Sequence, residues 1–133
     1  MNLHANDKCS FCNQEKENIQ HIFWHCQVVY TFWRDFQTTL VQKCFLAHSF
    51  HFSEHLVIFG CQRHVKTDQV LDFLILLAKS YIYQCKMTNV VPTAIAFFGY
   101  LKKRYEIEKY IATIDHNYGN FLLAWFAYTP IFD

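Results

Sequence analysis

Apolar residues at Ile22, Cys26, Val29, Trp33, Phe36 and Leu40 recur at alternating steps of four and three. That rhythm keeps one face of an α-helix apolar. Gln27, Arg34, Asp35, Gln37 and Thr38 fill the opposite face. The pattern predicts a long helix over Ile19–Lys43, with Asn18 as N-cap and Glu15 and Glu17 near its positive end. A second run, from Val70, Leu71 and Leu74 through Ile75, Leu77, Ala78, Tyr81, Ile82 and Cys85, covers more than half a helix circumference. It predicts a heavily buried central helix over Asp68–Met87. A third long helix opens at Pro92, whose fixed φ suits a first helical position, and runs to Ile114. Its expected stripe is Ile95, Phe98, Leu101, Tyr105, Ile107 or Glu108, and Ile111.

Two shorter elements complete the pattern. Ser53 is expected to cap a helix ending at Phe59, with Gly60 as its stop. Asn120 is expected to cap a terminal helix through Trp125 or Tyr128, ended by Pro130. Residues 45–51 read as a loop or short strand, and residues 61–67 as a polar connector. With 3 Gly and 2 Pro, the chain lacks the turn formers that a sandwich or barrel needs. The expected fold is therefore all-α, a small domain of three long and one or two short helices. Residues 1–45 should form a metal knuckle with the first long helix. Residues 46–133 should be a helical region packed on it, the whole being one structural unit.

The chain opens on polar residues, and its longest apolar run, Leu71–Ala78, is interrupted by Asp72. No secretory signal or membrane span is read from this, so an intracellular, non-secreted chain is expected. There thiols stay reduced, and clustered cysteines read as metal ligands before disulfides. Cys44, Cys61 and Cys85 stand alone among apolar neighbours and read as core residues.

Cys9, Cys12, His21 and Cys26 are spaced C-x2-C-x8-H-x4-C, a CCHC arrangement. Zinc takes four nitrogen or sulfur donors in a tetrahedron, and a set made wholly of protein groups is structural. The intervening Asn13–Gln20 is polar, as a solvated excursion between ligand pairs should be. Spacing alone leaves the fourth ligand open. His21 and His25 are four apart and share a helix face. His21 and Cys26 are five apart, about 140° around an ideal helix, so that pair needs a distorted turn. In the first set His25 is the ligand and Cys26 is core; in the second His25 points to solvent or packs nearby.

The formal charge of +1 gives no overall basic field. Locally, Lys79, Lys86, Lys102, Lys103, Arg104 and Lys109 outnumber Glu106 and Glu108. That excess suits phosphate contact, or equally a solvated helix face with Lys102–Glu106 and Arg104–Glu108 pairs. Phe11, between the two cysteines, and Trp24, off the helix stripe, are candidates to stack on single-stranded bases, the alternative being core packing. Hydrolase, protease and nucleotide-binding motifs are missing, and the acids are scattered singly. No catalytic residue, small-molecule substrate or membrane partner is expected.

The series Cys9-x2-Cys12, Glu17-Asn18-Ile19-Gln20-His21-Ile22-Phe23-x2-Cys26, then Val29 and Phe32-Trp33 resembles the zinc-binding domain that follows the reverse transcriptase in non-LTR, LINE-type retrotransposon proteins. That family reads C-x-x-C, a polar stretch, E-T-x-x-H-[LI]-F-x-x-C and an aromatic pair with Trp; here Asn18 stands for the usual Thr. Phe59-Gly60, the Leu74–Lys86 helix with Lys79 and Tyr81-Ile82, Pro92 and Trp125 extend the resemblance over nearly the whole chain. The resemblance implies Cys26, not His25, as the fourth ligand. It implies a parent protein that copies RNA into DNA at a nicked target, aided here by binding RNA or single-stranded nucleic acid. No polymerase motif is present, so a non-catalytic fragment of such an element is expected. The alternatives are a module docking on the parent's polymerase domain and a non-functional relic.

Overall fold

The computed structural model describes residues 7–44, 50–61 and 66–132, with the side chains of 66–68 left aside. A π turn at His21–His25 leads into α1 (Gln27–Lys43). Then come α2 (Glu54–Phe59), α3 (Lys66–Thr88), α4 (Ala94–Ile114), α5 (Tyr118–Trp125) and a closing 3-10 turn at Thr129–Phe132. Among the described residues there is no strand; the one extended pairing is an antiparallel bridge between Lys8 and Lys16. The fold is all-α, with three long helices of 17, 23 and 21 residues. Within the same residues, no helix is long and apolar enough to cross a membrane.

The predicted stripe of α1 is buried at Val29, Trp33, Phe36 and Leu40, and Phe32 joins it. Phe32 and Phe36 pack on Phe97 of α4, with ring centroids 5.6 and 5.2 Å apart, and Phe32 also meets Tyr81 of α3. Each such aromatic side chain contributes about 1.5–3 kcal/mol by leaving water. At the other end, Tyr105 stacks on Phe132 at 4.5 Å and meets Trp125 edge to face at 5.1 Å. One apolar core runs from Cys9 and Cys26 through all three long helices to Ile131. The metal-ligand candidates and the C-terminal turn therefore share a single core.

Local chemistry sets the helix ends. Ser53 accepts from the Leu56 N–H, and Gly60 stops α2 with φ +79°, a region costly for other residues. Asn89 and His116 follow α3 and α4 in the left-handed region, each bringing the next N–H back onto the helix: Val90 to the Cys85 carbonyl, Asn117 to that of Ala112.

Several expectations change. The first helix is not continuous from Ile19; it breaks at Cys26, whose ψ of 130° is extended. α3 begins at Lys66 rather than Asp68. Pro92 precedes α4, which is capped by Thr93 accepting from the Ala96 N–H. Asn117 flanks α5, and Asn120 lies inside it, donating to Asn117. Pro130 sits within the 3-10 turn instead of ending the chain's helical structure. In α4 the buried face is Ala94, Phe97, Leu101, Tyr105 and Ala112, while Ile95, Ile107 and Ile111 are exposed. α4 carries apolar residues on both sides, and the aromatic core of α1 selects the side bearing Phe97. Cys44 and Cys85 are buried as expected; Cys61 is half-buried against the core. The loop or strand expected at 45–51 and the connector at 61–67 lie largely outside the described residues.

Candidate metal centre

The site is built by a hairpin and a π turn. In the hairpin, the Cys9 N–H donates to the Glu15 carbonyl at 2.8 Å and Glu17 N–H to Asp7 at 2.9 Å. The Asn13 N–H closes the C-x2-C turn onto the Cys9 carbonyl at 2.8 Å, with Asn13 at φ 55°. Asn tolerates that left-handed conformation better than most residues, because its short polar side chain bonds locally. On the other side, Asn18 Oδ1 accepts from the His21 N–H at 2.7 Å, the cap read from the sequence.

His21 and Cys26 would diverge on an α-helix. Here the Cys26 N–H reaches the His21 carbonyl at 2.9 Å, a five-residue step. A π turn closes on that step, and such turns concentrate at functional sites. It brings the two side chains onto one side. Trp33 secures the turn from α1, its ring N–H donating to the Phe23 carbonyl at 2.8 Å. Lys86 of α3 reaches Glu17 at 2.7 Å and ties the hairpin to the helical body.

Four donor atoms converge as a result. The sulfurs of Cys9 and Cys26 are 3.8 Å apart, and Cys12 Sγ is 3.3 Å from His21 Nε2. All four lie within 4.8 Å of one another, and among the described residues this is the group that could hold a metal ion. An ion bound at about 2.0–2.3 Å by such donors places them about 3.3–3.8 Å apart. A contraction of at most about 1 Å completes that tetrahedron. Cys9, Cys26 and His21 are buried and Cys12 is half-buried. His25, the competing fourth ligand, lies outside the set, its Nε2 3.2 Å from Glu54 of α2.

The electrostatics are uneven. Burial pushes the Cys12 thiol up, but the N–H groups of Glu15 and Gln14, then contacts with His21 and Cys9, bring it down to about 6. Cys26 is pushed up to about 12, first by burial and also by the neighbouring Cys9. The Val28 and Val29 N–H groups, in the first turn of α1, oppose that rise. A bound divalent cation would offset the burial cost that an ionised Cys26 sulfur otherwise meets.

The remaining candidates are scattered. Lys102, Lys103 and Arg104 are exposed on α4, Arg104 making the expected pair with Glu108 at 3.3 Å. Lys86 is committed to Glu17, and Lys79 is half-buried, its ammonium lowered by burial. Phe11 and Trp24, expected to be exposed, are half-buried and pack against the core. The sequence marks Trp33, whose ring N–H supports the site, only as part of the stripe; nothing in it signals a bond to Phe23, ten residues earlier. Comparison with protein-family models, characterised proteins and solved structures finds no match.

Proposed function

We propose that Cys9, Cys12, His21 and Cys26 hold a structural zinc ion in a non-catalytic, nucleic-acid-binding accessory module, of the kind that follows the polymerase in LINE-type retrotransposon proteins. The observation that carries this reading is the convergence of three sulfurs and one imidazole nitrogen. Three soft sulfurs and one nitrogen in a tetrahedral set suit zinc, and four protein donors leave no position for a substrate. The C-x2-C-x8-H-x4-C spacing, resembling that of the retrotransposon domain, supports the placement in a parent protein that copies RNA. RNA or single-stranded DNA is the proposed partner, met by the exposed Lys102, Lys103 and Arg104.

Titration of the metal-loaded chain with single-stranded RNA over a range of salt tests this. Binding should weaken linearly in log–log form, and Lys102→Ala with Lys103→Ala should reduce the salt slope by about 1.4. No binding at low salt refutes the nucleic-acid reading. A second reading has its own observation: Ile107, Tyr110, Ile111 and Ile114 recur at helical spacing on α4 and are all exposed. That stripe favours docking on a neighbouring protein surface, such as the polymerase domain of the proposed parent. In the terminal region Phe121, Trp125, Tyr128 and Ile131 are buried, while Leu122, Leu123 and Phe126 are exposed.

A further inference from the structure

Beside the metal centre lies a cleft of about 340 Å³, within the roughly 300–1,000 Å³ of small-ligand sites. Trp24, on the π turn between His21 and Cys26, forms one wall, and Tyr30 of α1 the other. Their rings meet edge to face, at 77° with centroids 5.7 Å apart, and form a corner of two aromatic surfaces. Trp33 and Phe52, packed at 5.0 Å, form the apolar floor. Polar groups stand around it. Arg34 is exposed one helical turn beyond Tyr30. Gln37, which lines the cleft, uses its carbonyl oxygen to accept from the Phe52 N–H at 2.8 Å, so its N–H2 group remains as a donor.

We propose that this cleft takes one unstacked base of RNA or single-stranded DNA. The proposal rests on the nucleic-acid reading above and names where a base would be held. A planar base lies against one ring of the corner and meets the other, and stacking of this kind accepts any base. The amide of Gln37 gives a donor for a base edge, and Arg34 supplies the cation for the attached phosphate. A purely apolar ligand would need neither. Because Trp24 rides on the π turn, metal binding and formation of the corner are coupled.

The test compares a short single-stranded oligoadenylate with an abasic ribose-phosphate strand of equal length, each titrated into the metal-loaded full chain. The base-bearing strand should bind more tightly. Tyr30→Ala, at a half-exposed position, should weaken that strand by about 10-fold and leave the abasic strand unchanged. Tyr30→Phe, which keeps the ring, should retain the preference and guards against a mere folding defect. Lys102→Ala with Lys103→Ala should weaken both strands alike. Equal affinity for the two strands, with Tyr30→Ala silent, overturns the base cleft and leaves charge-driven binding intact. Binding of neither strand overturns both.

Discussion

Trp33→Phe isolates the bond that holds the π turn. The Trp33 ring is 1% exposed, and its N–H donates to the Phe23 carbonyl at 2.8 Å. Phenylalanine keeps an aromatic ring in the stack with Phe36 but removes the donor. A part-buried carbonyl left without this donor costs about 1–3 kcal/mol, and the smaller ring adds about 1 kcal/mol of lost packing. The expected loss is about 2–4 kcal/mol, a fall in melting temperature of about 6–15 °C for a domain of this size. Trp125→Phe is the control: the same change of ring at a 5% exposed position, with no partner for the ring N–H among the described residues. Urea unfolding of the two metal-loaded variants gives the difference. Trp33→Phe should be the less stable by about 1–3 kcal/mol and should also release metal faster to a chelator. Equal destabilisation, with equal metal release, refutes the role given to this bond.

Two further outcomes follow from the helical body. Gly60→Ala should destabilise by about 1–3 kcal/mol in thermal unfolding, because its φ of +79° is strained for alanine and an added Cβ would sit 3.0 Å from Asp72 Oδ1. That oxygen also accepts from the Cys61 N–H at 2.7 Å, so it is not free to retreat; a change within 0.5 kcal/mol contradicts the placement. Stability should also fall at alkaline pH. Burial pushes the Cys44 thiol up to about 11, so above its ordinary value near 9 the unfolded chain loses that proton while the folded one keeps it. The folded state then binds more protons, and stability drops with rising pH by about 2–3 kcal/mol by pH 11. Tyr81 and Tyr105, raised by burial, act in the same direction. Cys44→Ala should flatten the urea-unfolding profile between pH 9 and 11, and an unchanged slope counts against it.

The long helices and the metal set were legible because they rest on spacing. The α1 stripe is a rhythm of threes and fours, and α2 carries its own cap and stop in Ser53 and Gly60. The four donors were legible for the same reason, but their geometry was not: a five-residue step between His21 and Cys26 conflicts with an α-helix. The conflict itself pointed to a distorted turn, which the chain makes as a π turn closed by the Cys26 N–H. In α4 the sequence offers two apolar faces, and only packing against Phe32 and Phe36 selects Phe97 over Ile95. Contacts across distant segments, such as Lys86 with Glu17 and Trp33 with Phe23, have no periodicity to announce them. Lys86 accordingly changes from a candidate phosphate contact to a tie between α3 and the hairpin.

Metal content of the purified chain and two variants tests the central claim most directly. His25 lies with Glu54, outside the four-donor set, and Cys26 lies within it. Mass spectrometry under non-denaturing conditions, with circular dichroism before and after chelation, should find one zinc ion per chain and a loss of helix when it is removed. His25→Ala should keep that zinc, and Cys26→Ser should lose it or hold it far more weakly. Full zinc in Cys26→Ser together with its loss in His25→Ala would contradict the ligand set; no zinc in the parent chain would contradict the centre itself.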